Sequence, residues 1–442
     1  MLNESKFSHF FSKYDYADIR VESSVSDSIS FADEELKLVS GQSKGICVRV
    51  LVNDSWGFAS SNNQKDFDDM GNLFNKAEKL AKIEKSNIRL TDIPITNKKV
   101  KKEYKYIEPE QKLKEIRDAL NGVEGQYIKN KMLSYYDQVI KKEFYSSAGS
   151  LIHQEINYGY LSCSAIAKYN DKILKGSSRQ ASISGFSKID CEKVCLEAKE
   201  KAERLINAVA PPKGRFVVIM DNEMTGVFSH EALGHASEAD GVIDRESILV
   251  EKLNKKIGNE NVNITDDPTA NDFGYYAYDD EGVKAQKTPL VKNGVLVNYL
   301  NSLETSAKLK ILQNGHARAM DYSSFPIVRM SNTYFQPGSD NIEDIFDVKH
   351  AIYVKGMKGG SVDTFSGGFM FKSEEAWEIV NGEKKNFLSD VTLSGNVLET
   401  LNNVELIGKD FGSSPGICGK FMQSVEVSDG GPHVRVKQLM VG

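Results

Sequence analysis

Ala210-Pro211-Pro212-Lys213-Gly214-Arg215-Phe216-Val217-Val218-Ile219-Met220-Asp221-Asn222 is the stretch on which the fold turns. Consecutive prolines remove two amide donors and bar helix at the residue before each, so no regular element crosses Ala210–Gly214. A domain boundary is expected there, with one domain over 1–210 and another over 211–442. Arg215–Met220 is a compact apolar run that reads as a strand, and Asp221 or Asn222 is a good cap for a helix after it. The length of 442 residues agrees with two domains, since one compact core rarely grows so large.

Towards the amino terminus, Ala17–Glu22 and Ile46–Val50 alternate apolar and polar residues, the period of half-buried strands paired in antiparallel hairpins. Met70, Leu73, Phe74, Ala77, Leu80 and Ala81 then repeat at three- and four-residue steps and predict a helix. Leu113, Ile116, Leu120 and Val123 predict a second. Strands are expected between about Glu143 and Ser184, and a third amphipathic helix over Val194–Val209. The domain is therefore α+β. Beyond the prolines, Asn293-Gly294 and Asn381-Gly382 sit between apolar runs as two-residue hairpin turns, so the second domain reads as β-rich and mostly antiparallel. No fixed-period repeat or low-complexity tract interrupts either half.

Composition excludes more than it assigns. Hydrophobic residues at 40% and charged residues at 27% are those of a globular chain. A net charge of -6 offers no basic face for nucleic acid, and the one basic run, Lys98–Lys105, reads as a solvated linker. The opening Met1–Lys6 lacks a basic segment followed by an apolar one, and no run reaches the roughly eighteen apolar residues of a membrane span. A cytoplasmic protein with no membrane partner is expected. The five cysteines at 47, 163, 191, 195 and 418 are odd in number and scattered, so they are expected reduced. Cys191 and Cys195, one helical turn apart without a third ligand nearby, read as buried structural thiols.

The helix expected after Met220 carries His230-Glu231-Ala232-Leu233-Gly234-His235. Zinc takes imidazole nitrogen and thiolate sulfur, and a catalytic site keeps three protein ligands with a fourth position open. His230, His235 and the distant Cys418 would make such a set. Glu231, next to the first of them, is the candidate general base, placed to take a proton from water and pass it to a leaving amine. Amide hydrolysis is the natural reaction class.

The spacing sets a condition. The histidines are five positions apart, and an ideal helix, turning about 100° per residue, would leave their rings about 140° apart around the axis. Either the helix widens locally into a π turn or it ends near the second histidine. Gly234, which tolerates backbone angles other residues resist, suits such a distortion. On spacing alone the histidines read equally as ordinary imidazoles, and Cys418 alone as a structural thiol. Gly416 and Gly419 suggest a tight turn presenting its sulfur.

Other polar groups have plainer readings beside the functional ones. Asp279-Asp280-Glu281 would meet a second cation or a peptide amine, or form a solvated loop. Arg318 and Arg329 would bind a peptide carboxylate, or make structural ion pairs. Gly356–Gly360 lets a backbone approach, or is simply a turn. Glu238 and Asp240 either orient a ligand or face solvent. Substrate-binding residues are not assigned.

With His230–His235, Asp279–Val283, Arg329–Tyr334, Gly359–Asp363 and Gly416–Lys420, the chain resembles the TldD/PmbA family of metallopeptidases. Strands near Tyr16-Ala17-Asp18 extend the likeness over nearly the whole chain. The resemblance implies one zinc ion per active subunit, held by His230, His235 and Cys418, with Glu231 as general base. Retention of all four implies the catalytic, TldD-like branch. It also implies a dimer, either a homodimer or a heterodimer with a related PmbA-like subunit, enclosing a chamber that admits unfolded peptides.

Two rival readings stand beside this. One is a metal-dependent hydrolase of a small amide, as in deformylases, whose histidines are four apart in much shorter chains. The other is a non-catalytic partner scaffold with a structural zinc site, against which Glu231 argues, because a closed site needs no base. Family members have also been labelled DNA gyrase modulators, but the acidic balance gives no support for direct contact with nucleic acid.

Overall fold

The computed structural model describes residues 7–442 apart from 33, 84, 85 and 91, so the opening Met1–Lys6 lies outside the described residues. The fold is α+β. Residues 16–182 build a seven-stranded sheet around four long strands, Tyr16–Ala32, Glu35–Val52, Ile128–Ser146 and Leu151–Tyr169, which pair antiparallel with one another. The helix expected at Met70–Ala81 forms over Gly71–Ile83 and buries Leu73, Phe74 and Ala77 against Ile19, Val48 and Val50. The other two predicted helices, Pro109–Asn121 and Cys191–Arg204, cover the far end of the sheet, with Ile116, Leu120, Val194 and Ala198 packed on Leu133 and Leu161. The last helix stops at Arg204 rather than Val209, which instead bridges to Leu388.

Several polar stretches lie elsewhere than their sequence suggests. Ala17–Glu22 is buried on both faces, because Asp18, Arg20 and Glu22 turn towards residues 279–281 instead of water. Arg49, 1% exposed, joins Asp18 and Glu281 at 2.7 Å each, while Asp280 takes Lys142 at 2.9 Å and Arg20 at 3.6 Å. Asp279-Asp280-Glu281 is thus a buried ionic joint and not a solvated loop. The basic run is not a plain linker either, since Asn97–Lys101 is a strand paired in parallel with Leu151–Glu155. Cys191 and Cys195 are buried thiols, as expected.

Ala210–Lys213 lies outside any helix or strand. Gly214–Met220 then enters a ring of five strands, running through Val434–Val441, Thr392–Asn396, Gly368–Val380 and His350–Val362 back to Gly214–Met220. Closure gives each of the five a partner on both sides over at least part of its length. Gly356–Gly360 lies inside the His350–Val362 strand, where the pairing slips between Met357 and Gly359, so it is a bulge and not a turn. A second sheet of six strands ends in the hairpin Gly412–Lys420 and Gln423–Gly431, with Gly412–Lys420 at its edge. Asn293-Gly294 and Asn381-Gly382 take the left-handed angles of two-residue hairpin turns. No helix among the described residues is long and apolar enough to cross a membrane.

The site helix bridges these two sheets. Asp221 caps it by accepting the amide of Met224 at 2.8 Å, and Phe228 packs edge-on against Phe369 of the ring. On its other side the helix lies almost on the six-stranded sheet: a Cβ on Gly226 would stand 2.4 Å from the amide nitrogen of Gly430. Glycine is required there by contact distance.

Candidate metal centre

The helix from Asn222 changes its winding where the histidines fall. Phe228–Gly234 is a π turn, and the amide of His235 donates to the carbonyl of His230, a bond spanning five residues. Residues five apart then stack as residues four apart do in an α-helix, which brings both imidazoles to one side. The next turn, His235–Ser237, tightens to 3-10 and ends the helix, so widening and termination both occur. Gly234 plays a different part from the one its flexibility suggests. Its angles, φ -56 and ψ -56, are ordinary helix, but a Cβ would stand 2.0 Å from the sulfur of Met330.

Cys418 arrives from the edge strand Gly412–Lys420, paired with Val425, and not from a turn between glycines. The turn follows at Phe421-Met422, both in left-handed conformation. The sulfur lies 3.4 Å from Nε2 of His235, and the ligand atoms of His230, His235 and Cys418 all fall within 4.8 Å of one another. The imidazole planes are nearly perpendicular, 86° apart with centroids at 5.3 Å. His230 and Cys418 are buried; Glu231 keeps 35% of its side chain exposed at the mouth, 4.0 Å from His235.

Neighbouring groups fix this arrangement. Nδ1 of His235 meets Glu238 at 3.1 Å, and Lys420 reaches Glu238 at 3.1 Å and Asp240 at 2.7 Å. Arg329, fully buried, donates to the carbonyl of Cys418 at 2.5 Å and to that of Gln423 at 3.2 Å, so it clamps the hairpin behind the sulfur. Arg318 likewise donates to carbonyls, of Met330 and Glu426. Both arginines are structural, through carbonyls in place of ion pairs.

The electrostatics favour positive charge at the centre. Burial opposes imidazolium, yet the Cys418 sulfur holds His230 up at about 9, and Glu238 holds His235 well above its ordinary value. Burial would raise the thiol of Cys418, but His230 and His235 bring it down to about 5. Nδ1 of His230 is buried without a partner, a costly state that a bound cation would relieve. Two imidazoles and a low-pKa thiol, with one donor nitrogen unsatisfied, fit a zinc-type ion.

Two residues were missed in the sequence. Lys420 had a signal, since it follows Cys418 by two in a strand and therefore shares its face. Asp429 had none. It lies on the Gln423–Gly431 strand, with one buried oxygen unpartnered, and burial drives its carboxyl up to about 7 while His230 pulls the other way.

Models of the PmbA/TldA metallopeptidase domains match this chain in three consecutive pieces: domain 1 over residues 17–81, the central domain over 102–206 and the C-terminal domain over 213–442. The chain belongs to the PmbA/TldA metallopeptidase family. Among its relatives in the family, a metalloprotease of Methanothermobacter thermautotrophicus is 40% identical, over 97% of this chain and 96% of the relative. A zinc metalloprotease TldD homolog of Saccharolobus solfataricus is 31% identical, again over 97% and 96%. The crystal structure of TldE from Thermococcus kodakarensis shares the fold with a TM-score of 0.80 at 18% identity, covering 99% of each chain. As a PmbA/TldA member, this chain is a metallopeptidase.

Proposed function

We propose that the chain is a zinc-dependent peptidase that hydrolyses unfolded or extended peptides, with His230, His235 and Cys418 as the ligands of one ion and Glu231 as general base. The convergence of the three ligand atoms within 4.8 Å, drawn from a π turn and a strand 183 residues further on, carries this reading. A bound zinc ion polarises a carbonyl and brings the pKa of water to about 7. Glu231, half open to the cleft beside His235, is placed to accept the proton of the attacking water and return it to the leaving amine. Glu238 fixes the tautomer and orientation of His235.

The edge strand Gly412–Lys420 supports the substrate class. An extended peptide adds to such an edge by backbone hydrogen bonds and is selected little by sequence. Pairing with a second subunit, identical or PmbA-like, and a cytoplasmic location belong to the same proposal. The exposed Phe421 and Met422 beside the cleft are a surface that a subunit would cover.

Metal analysis of the purified chain tests the reading together with degradation of an unfolded polypeptide with and without chelator. Stoichiometric zinc and chelator-sensitive cleavage are expected. Zinc binding that persists after Cys418→Ala and His235→Ala would remove the ligand assignment.

A further inference from the structure

Within a fold, glycine answers two local needs: left-handed backbone angles, and a neighbour too close for a side chain. Most of the 34 glycines here meet one or the other, as Gly294 does by its φ of 74 and Gly226 by its contact with Gly430. At four of them, Gly241, Gly359, Gly419 and Gly442, a Cβ would meet nothing within 4 Å. Gly442 ends the chain, and Gly359, at φ 157, belongs to the bulge of the His350–Val362 strand. Gly241 and Gly419 remain, with open space and no left-handed angle. Neither is required by the local geometry of the fold.

Both stand where glycine weakens its element. Gly241 is the middle residue of the short helix Ala239–Ile243, and Gly419 is the last but one of the edge strand Gly412–Lys420. Alanine forms helix better, and a residue with a side chain forms strand better. Yet the two line one and the same cavity, of about 370 Å³, and that cavity holds Glu231 and His235. Gly241 follows Asp240 and Gly419 precedes Lys420, whose charges meet at 2.7 Å, so helix and strand are tied together beside the two glycines. Gly419 pairs with Ser424 on one side, lies at the edge of the sheet on the other and is exposed. A glycine that a strand does not need marks a place where a ligand or another backbone comes close.

We propose that Gly241 and Gly419 are substrate-binding residues, the two cleared walls of a subsite that takes the peptide backbone next to the bond cut at the metal centre. This rests on the reading of His230, His235 and Cys418 as the reaction centre. The ligand is an extended peptide that crosses both glycines where side chains would otherwise stand. Clearance of this kind admits a backbone and selects no side chain, so the subsite holds peptides of many sequences. A side chain at either position would take the peptide's place.

Binding and stability together test the subsite. Gly241→Ala, Gly419→Val and the double variant are made in zinc-loaded full chain carrying Glu231→Gln and titrated with a fluorescent, unstructured peptide. Affinity should fall severalfold in each single variant and about tenfold or more in the double. Acetohydroxamate, small enough to reach the metal without crossing the glycines, should bind parent and variants alike, with zinc content unchanged. The thermal midpoint should hold, or rise by about 2 °C for Gly241→Ala, since alanine favours the helix. Peptide affinity equal to the parent's overturns the subsite. So do weakened acetohydroxamate binding, a lowered midpoint or a changed oligomeric state, which give the glycines to the metal centre, the fold or a subunit contact. Hydrolysis by the chain with Glu231 intact is read separately, with and without chelator. No hydrolysis beside a loss of peptide affinity in the variants would sink the reaction centre and leave the subsite, whereas hydrolysis beside unchanged affinity would do the reverse.

Discussion

Gly234→Ala sets two effects against each other inside the metal-binding turn. Its backbone is helical, so alanine should gain about 1 kcal/mol from helix propensity. Against this, the new Cβ would stand 2.0 Å from Sδ and 3.3 Å from Cγ of Met330, where carbon and sulfur need nearly 4 Å. Met330 is fully buried and has no room to retreat, and overpacking of this kind costs about 1–3 kcal/mol. The clash outweighs the propensity, and the net loss should reach about 2 kcal/mol. Met330→Ala removes the atoms that are struck. In that background Gly234→Ala should turn stabilising by about 1 kcal/mol, although Met330→Ala itself costs about 2–5 kcal/mol. The double-mutant cycle should therefore show a coupling of about 1–3 kcal/mol. For a domain of this size each kcal/mol moves the thermal midpoint by about 2–4 °C, well within the reach of calorimetry. Equal loss in both backgrounds would refute the contact argument and restore a demand for unusual backbone angles. A gain in both would show that Met330 is no obstacle.

Other consequences of the geometry can be read directly. Glu231→Gln should keep its zinc by elemental analysis while peptide hydrolysis falls about 10²–10⁴-fold, and His235→Ala should lose both; parent-like activity in the glutamine variant would remove the general base. At pH 7 Cys418, at about 5, is already a thiolate, while His230, at about 9, and His235 both carry protons. Loading zinc should then displace about two protons, and apparent affinity should weaken as pH falls; calorimetry in buffers of differing ionisation enthalpy that finds no proton release would contradict this. Arg49→Met strands the carboxylates of Asp18 and Glu281 in the interior, and urea unfolding should show a loss of about 3–5 kcal/mol. Adding Asp18→Asn and Glu281→Gln should recover most of it, an outcome that fails if Arg49 acts only through packing on Trp56.

Local signals in the sequence locate the parts of the fold that local physics decides. The three amphipathic helices follow from apolar steps of three and four, and the two Asn-Gly turns from the need for left-handed angles at both central residues. The π turn was legible for a different reason. Two histidines five apart cannot share a ligand on a regular helix, so a working metal site requires the helix either to widen or to end near the second histidine, and here it does both. Cys418 could not be placed in this way, because nothing local in Gly416–Lys420 says which strand pairs with it or that Arg329 grips its carbonyl from 89 positions away.

Polar residues misled where their partners lie far along the chain. Asp18, Arg20 and Glu22 alternate with apolar residues as the wet face of a strand would, yet they are buried. Period two reports that two faces differ, and an ionic face against Asp280 and Glu281 differs from an apolar one as clearly as a solvated face does. The same limit explains the site. Helix and strand periodicity place His230 and Cys418 on their elements, but the charge that gives the cleft its character comes from Lys420 meeting Glu238 across 182 positions. Such a joint is built from oppositely charged residues that each look solvent-facing alone. Only chain topology brings them together, so burial of a charged pair is legible in a sequence only when both partners sit in one element.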